Sequence, residues 1–554
     1  MTTSQTLSVV EDNTSLPTSV RALKDPRASN SQQRTVVICL DGTGDRFDRD
    51  NSNVVHFVSC LKKDTPNQQV TYYQSGIGTY DEGGLQNGIG AGMDMAVGSG
   101  LGIHIKDAYR FLMYNHREGD KICLLGFSRG AYTVRCLAGM LHKVGLLPAG
   151  NIAQVNFAYD HYKDDSPDGW EMSAHFKRTF CTDVDVYFVG VWDCVASVGY
   201  IPRKLPFSKS PTNSIHYFRH AMALDEHRSK FELCQWREQD PDDSNNGDAV
   251  RKSLGAESPR ASKDVELPPN GDAVTHGARN LDPFSDANAH DGGNSGPHSD
   301  VLVNGIKKGL RHADRDDEQQ KLEAYFEAYE NSKGSRKAAE TDALEVWFMG
   351  AHADIGGGAV NNEVRHRLSQ IPLRWMFRQC FECNTGILFD TASLIEQGLD
   401  LDSIYPTYQP ATRPICGPAP ALLEAYAQNK VPPLRFRLAT FAVGDAAPPR
   451  AQEPRQLSLL CEGTEDHFDA LAPVNDQLAL AKLWWVLELW PVKLRFLARN
   501  GVAWVKRLGF NLGRYRPVRE REPKMHWTVQ CMIDEGKYRI KTRMLRDAAW
   551  QVVA

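Results

Sequence analysis

Lys121 to Phe127 is a short apolar run, the length of a buried strand, and it passes without a loop into Ser128-Arg129-Gly130. Apolar residues at helical spacing follow from Ala131 to Leu141. Nothing else in the chain limits the fold as strongly. A strand that turns straight into a helix forces the residues two before and two after the turn against each other. Glycine at both places, Gly126 and Gly130, removes the Cβ atoms that would collide. Ser128 then stands exposed at the end of the sheet, beside the unpaired N–H groups and positive dipole end of the helix. A hydroxyl in that setting is presented as a nucleophile; the plainer alternative is an ordinary strand–turn–helix with a surface serine. In both cases the unit belongs to an α/β fold, a mostly parallel sheet with helices on both faces.

Other stretches fit the same architecture. Thr35 to Leu40 is an apolar run suited to a central strand, and it ends in the turn Asp41-Gly42-Thr43-Gly44-Asp45, where such sheets build ligand sites. The pattern predicts a helix over Asn53 to Leu61 and a strand over Gln69 to Gln74. Gly83 to Gly102 is glycine-rich, yet no strand leads into it and no Gly-Lys-Ser/Thr follows. It reads as a loop near the site followed by a helix from Ile103 to Asn115, not as a phosphate cradle. Val184 to Trp192 is a further buried-strand run ending in Asp193, and Ser214 to Leu224 is helix-like. Leu344 to Gly350 is a strand leading into His352-Ala353-Asp354-Ile355-Gly356-Gly357-Gly358, and Gln370 to Phe381 is an amphipathic helix. Within and just beyond it, Cys380-x-x-Cys383 reads as helix packing, since no second pair at zinc-site spacing accompanies it.

A chain of 554 residues can bury a large core and hold more than one unit. The expected organisation is a disordered polar tail over 1–34, a catalytic domain over 35–385 and a C-terminal accessory region over 386–554. The catalytic domain is interrupted by a low-complexity insertion at 237–336, which has too few apolar residues to offset the entropy of ordering. The accessory region carries Trp- and Lys/Arg-rich helices over 483–510, a candidate for peripheral membrane contact or else a packed pair. A net charge of −5 gives no reason to expect a nucleic-acid partner. Cysteines scattered singly, several beside apolar runs, read as reduced thiols. With no signal-like segment and no apolar run long enough to span a bilayer, the expected location is cytoplasmic, with a membrane-surface face. No cofactor and no metal is expected.

Serine attacks only when a base takes its proton and a carboxylate orients that base. In the α/β-hydrolase arrangement the partners follow in the order serine, acid, histidine. Asp193 and His352 satisfy that order, each just past a strand. Asp225 and Asp354 compete for the acid's place; Asp354 shares a tight turn with His352, and Asp225 adjoins Glu226 and Arg228 as a salt bridge would. The oxyanion hole would use N–H groups of Arg129 and of the first turn, around Gly42 and Thr43.

Leu40-Asp41-Gly42-Thr43, Gly126-Phe127-Ser128-Arg129-Gly130-Ala131, Val191-Trp192-Asp193, Ala223-Leu224-Asp225-Glu226 and His352 to Gly358 together resemble an uncharacterised α/β-hydrolase family. That family is also known as the catalytic domain of a class of type VI secretion phospholipase effectors. The resemblance spans about Arg34 to Phe381. It implies a Ser–Asp–His hydrolase, carried onto Ser128, Asp193 and His352, with an ester or phospholipid as substrate. The first turn departs from the family in reading Gly44-Asp45 where members often carry Trp-Asn, and the insertion is similar to that of eukaryotic, fungal-type members. Two other readings remain open: a non-catalytic binding or membrane-associated protein that retains the fold, and a metal-assisted hydrolase using Asp41, Asp193 and Asp354.

Overall fold

The computed structural model describes residues 17–26, 33–76, 91–196, 205–208, 214–236, 340–412, 420–428, 462–498, 501 and 503–554, with 319, 322, 323 and 326. Its centre is an eight-stranded sheet. The strands are β1 Thr35–Leu40, β2 Gln69–Gln74, β3 Lys121–Phe127, β4 Val186–Trp192, β5 Ile215–Ala223, β6 Asp342–Phe348, β7 Lys524–His526 and β8 Gln551–Val553. They lie in the order β8-β7-β6-β5-β4-β3-β1-β2, and every neighbouring pair is parallel. The order reverses at β1, so the crevice beyond the carboxyl ends of β1 and β3 is the switch point where open parallel sheets take ligands.

Alternation along the strands builds a core on each face. Val36, Ile38 and Leu40 pack on one side with α2 (Ala91–Asn115), α3 (Ser128–Val144) and α4 (Val155–Lys163). Val37 and Cys39 pack on the other with α1 (Asn53–Ser59), the short α6 (His352–Gly356) and α7 (Gln370–Glu382), where Phe57 stacks on Phe377. Burial of each such large side chain contributes about 1.5–3 kcal/mol. Short-range chemistry sets the helix starts: Ser52 accepts from the Val55 N–H to cap α1, and Ser166 caps α5 (Pro167–Phe180), which has proline at its first position. Helix α2 begins well before Ile103, and its Gly102 lets the Tyr159 ring of α4 close in, since a Cβ there would lie 2.9 Å from the Tyr159 hydroxyl. Cys380 and Cys383 are buried and unbridged.

Two expected elements differ. Ser214 to Leu224 is not a helix but strand β5, paired along its length with β4 and β6. Burial on both faces removes the alternation that marks a strand, and Ala221, Met222 and Ala223 mimic helix formers. The Trp- and basic-rich segment is not a helix pair. After short helical turns at Lys482–Trp484 and Trp485–Glu488, it forms an antiparallel ribbon of Pro491–Leu497 with Trp504–Phe510. Valine and aromatic residues in both segments favour the ribbon. Helix α9 (Trp527–Asp534) follows β7 directly.

Of the insertion only residues 319, 322, 323 and 326 are among the described residues. Phe326 is buried against Trp170 and Phe207, and Glu323 accepts from the Phe207 N–H. Helix α8 (Glu462–Asp469) is fixed on α7 by buried ion pairs, Arg374 with Asp466 and Asp469, and Arg378 with Glu462. No helix among the described residues is long and apolar enough to cross a membrane.

Candidate active site

The turn after β3 is as tight as its glycines demand. Ser128 has φ +57°, a left-handed conformation that costs a non-glycine residue of order 1 kcal/mol or more. A Cβ on Gly126 would lie 2.7 Å from the Gly130 carbonyl oxygen. One on Gly130 would lie 2.3 Å from the Leu40 carbonyl oxygen, so the start of α3 rests on the end of β1. Both substitutions would break the turn. Gly42 has the same office from the other side: its Cβ would meet Phe127 at 3.0 Å and the Ser128 Cβ at 3.2 Å.

The structure brings Ser128, His352 and Asp193 together from the ends of β3, β6 and β4. His352 Nε2 lies 2.8 Å from Ser128 Oγ, and Nδ1 lies 2.5 Å from Asp193 Oδ2. With its proton on Nδ1, facing the carboxylate, the imidazole presents a lone pair to the serine hydroxyl. All three side chains are buried. Burial lowers the His352 pKa against the opposing pull of Asp193, which favours the neutral, proton-accepting form. Burial also disfavours the Asp193 carboxylate, but the Arg516 guanidinium and His352 outweigh it and hold Asp193 well below the usual carboxylate range. Arg516 grips both oxygens, Nη1 to Oδ1 at 2.7 Å and Nη2 to Oδ2 at 3.0 Å, and the Ala223 N–H donates to Oδ1 at 2.9 Å.

The competing carboxylates have other partners. Asp225 accepts from the Gly350 N–H and the Tyr538 hydroxyl, both at 2.9 Å, and so ties the end of β5 to the loop after β6. Asp354 accepts from the Ala351 N–H and from Asn475, and burial pushes its pKa up to about 6. Asp41 accepts from the Ser52 and Tyr73 hydroxyls. Asp41, Asp193 and Asp354 are held by separate hydrogen-bond sets, and they are not among the His, Cys, Asp and Glu side chains that lie close enough together to share a metal ion among the described residues.

Of the expected oxyanion donors, the Gly42 N–H donates to Asp41 Oδ1 at 2.9 Å and is taken up by its own turn. Thr43 Oγ1 is buried without a hydrogen-bond partner among the described residues, and Arg129 stands in the first turn of α3.

Four residues around the imidazole were given no place at the site by the sequence, although the Glu226–Arg228 pairing was anticipated. Phe231 packs edge-on against His352, with centroids 4.7 Å apart, and Trp484 packs on Phe231. Arg228 stacks over Phe231 at 3.5 Å while pairing with buried Glu226, whose Oε2 accepts from the His352 N–H at 3.3 Å. The fourth is Arg516, which lies 323 residues after Asp193, too far along the chain for any local pattern to join them.

The model of the T6SS phospholipase effector Tle1-like catalytic domain matches residues 34–379. The uncharacterized protein YEL023C of Saccharomyces cerevisiae is 27% identical over 569 residues, which cover 93% of this chain and 81% of that one. A crystal structure of an uncharacterized protein from Pseudomonas aeruginosa aligns with a TM-score of 0.30 at 15% identity. That alignment covers 65% of this chain and 47% of the other, so the chain spans about half the length of that structure. Because the family match takes in more than half of the sequence, elbow and histidine turn included, the chain belongs to the family of T6SS Tle1-like phospholipase effector catalytic domains.

Proposed function

We propose that the protein is a serine hydrolase that cleaves a carboxylic ester of a lipid, in the first instance an acyl ester of a phospholipid. Ser128 is the nucleophile, His352 the general base and Asp193 the orienting acid. The observation that carries this reading is the continuous hydrogen-bonded line from Ser128 Oγ through His352 to Asp193 at the switch point of the sheet. As Oγ attacks the ester carbonyl, its proton passes to His352 Nε2, and Asp193 stabilises the imidazolium. That proton then leaves with the alcohol. A water activated by the same nitrogen releases the fatty acid and restores Ser128. The developing oxyanion meets the first turn of α3 at Arg129 and the Thr43 segment, whose unpartnered hydroxyl is a donor at hand. Family membership supports the lipid as substrate class.

Fluorophosphonate labelling, followed by phospholipid hydrolysis with the acyl products identified, tests the proposal. Wild type is expected to take up one label on Ser128 and to release fatty acid. A protein that neither labels nor hydrolyses lipid is a binding protein with a hydrolase fold.

A lipid surface needs a place to rest. Trp485 (44% exposed), Leu489 (64%), Leu508 (52%) and Phe510 (50%) stand out on the helical turn and ribbon next to Trp484, beside exposed Lys506 and Arg507. Tryptophan suits the bilayer interface, while lysine and arginine reach toward anionic head groups. Binding to anionic vesicles is expected to weaken with salt and with Lys506→Glu/Arg507→Glu, and to weaken further with Leu489→Ser/Phe510→Ser. Co-sedimentation unchanged by all of these would remove the segment from the lipid surface.

A further inference from the structure

Away from the hydrolase machinery, three side chains with metal-ligand chemistry converge. His467 comes from the last turn of α8, Cys531 from α9, and Glu535 from the residue that ends α9. Cys531 and Glu535 are four apart and so share a helix face. His467 Nδ1 lies 3.7 Å from Cys531 Sγ and 3.7 Å from Glu535 Oε1, and Cys531 Sγ lies 3.5 Å from the same oxygen.

These separations have a specific meaning. A tetrahedral ion with bonds of about 2.0–2.1 Å to nitrogen and oxygen and about 2.3 Å to sulfur holds its ligand atoms roughly 3.3–3.6 Å apart. The three atoms thus already sit near the corners of one face of such a tetrahedron. Glu535 is also turned for ligation, because Lys537 Nζ holds Oε2 at 2.7 Å and leaves Oε1 toward the histidine and the thiol. Outer partners of that kind fix a ligand's direction. His467 is buried, while Cys531 is half-buried and the Glu535 side chain is 31% exposed, so an ion has a route in from solvent.

We propose that His467, Cys531 and Glu535 form a binding site for one zinc-class divalent cation, with the fourth position open to water. Thiolate, imidazole and a single carboxylate suit zinc or cobalt, whereas calcium and magnesium take oxygen-rich shells. Binding displaces the Cys531 thiol proton to solvent and forms the metal–sulfur bond. The ion would clip α9, which follows the short strand β7, to α8, itself locked on α7 through Arg374 and Arg378. It therefore bears on the stability of the sheet's C-terminal edge and not on the Ser128 chemistry. The ligands lie at 467, 531 and 535, a spacing with no motif signature, which hid the site from sequence reading.

Titration of the metal-free full-length protein with Co²⁺, followed by displacement with Zn²⁺, tests the site. The expected result is a thiolate-to-cobalt charge-transfer band that saturates at one equivalent and vanishes on zinc addition. The melting temperature should rise with either ion, because the ion binds only the folded form. Cys531→Ala should abolish the band. Glu535→Gln, at a partly exposed position that folding tolerates, should weaken cobalt binding by at least the about 10–100-fold lost when an outer partner is removed. A wild-type protein without the band, a band that survives Cys531→Ala, or Glu535→Gln binding as wild type overturns the proposal.

Discussion

Ser128→Ala and His352→Ala are each expected to reduce ester hydrolysis by about five to six orders of magnitude, with the double variant no worse than either alone. A nucleophile and its base act as one unit, so removing either removes the whole pathway through the covalent intermediate. Both variants are expected to keep the fold. Alanine at 128 leaves the strained backbone where Gly126 and Gly130 permit it, and alanine at 352 vacates a position between Phe127 and Phe231 without leaving a buried charge newly unpaired, because Arg516 still neutralises Asp193. Asp193→Asn is expected to cost about 10⁴-fold in turnover, since the amide favours the wrong imidazole tautomer and no longer supports the imidazolium. Asp225→Asn and Asp354→Asn act on the hydrogen bonds that join β5 to the loop after β6 and the histidine turn to Asn475, and are expected to lower thermal stability more than rate. Steady-state kinetics on the purified variants decide it. Near-native turnover in folded His352→Ala would place the base elsewhere, and a larger loss in Asp225→Asn or Asp354→Asn than in Asp193→Asn would displace Asp193 as the acid.

What could be read from the sequence was whatever the chain encodes within a few residues. The passage from β3 into α3 is such a case, because crowding at the turn leaves only glycine at 126 and 130 and no alternative geometry satisfies the pattern. Asp193 and His352 were legible for the same reason, each following a buried strand in the order that places it at the carboxyl edge. Strand β5 was lost because a strand sandwiched in a parallel sheet is apolar on both sides, and period is the only signal that separates it from a buried helix. The ribbon of Pro491–Leu497 and Trp504–Phe510 was lost to tryptophans whose spacing at 484, 485 and 490 imitates a helical stripe, while the pairing that decides it is between strands. The surroundings of the imidazole were beyond reach altogether. Phe231, Arg228 and Arg516 meet His352 and Asp193 through tertiary packing alone, and none sits in a motif.

Arg516→Met is expected to lower stability by about 3–5 kcal/mol at neutral pH and to change how both stability and rate depend on pH. Asp193 is fully buried, and with the guanidinium gone it keeps only the Ala223 N–H and the His352 N–H as donors. Methionine fills the space but leaves the carboxylate without its cation. In the wild type the folded pKa of Asp193 is depressed, so its contribution to stability is present above the unfolded value of about 3.9 and is lost as the pH falls toward the folded value. The variant lacks that depression. The stability difference between the two proteins is therefore full at neutral pH and narrows below pH of about 4, as urea denaturation at several pH values will read directly. The rate gives an independent check. Where Asp193 stays ionised in the variant, its whole negative charge acts on the imidazole, His352 becomes more basic, and the acid limb of kcat/KM moves to higher pH. In the wild type that limb is expected below the ordinary histidine value of about 6.5, because burial lowers the His352 pKa. Arg516→Lys retains a cation but not the two-point grip and falls between the two. A folded Arg516→Met protein with wild-type stability at neutral pH and an unmoved acid limb would show that Asp193 does not depend on the guanidinium.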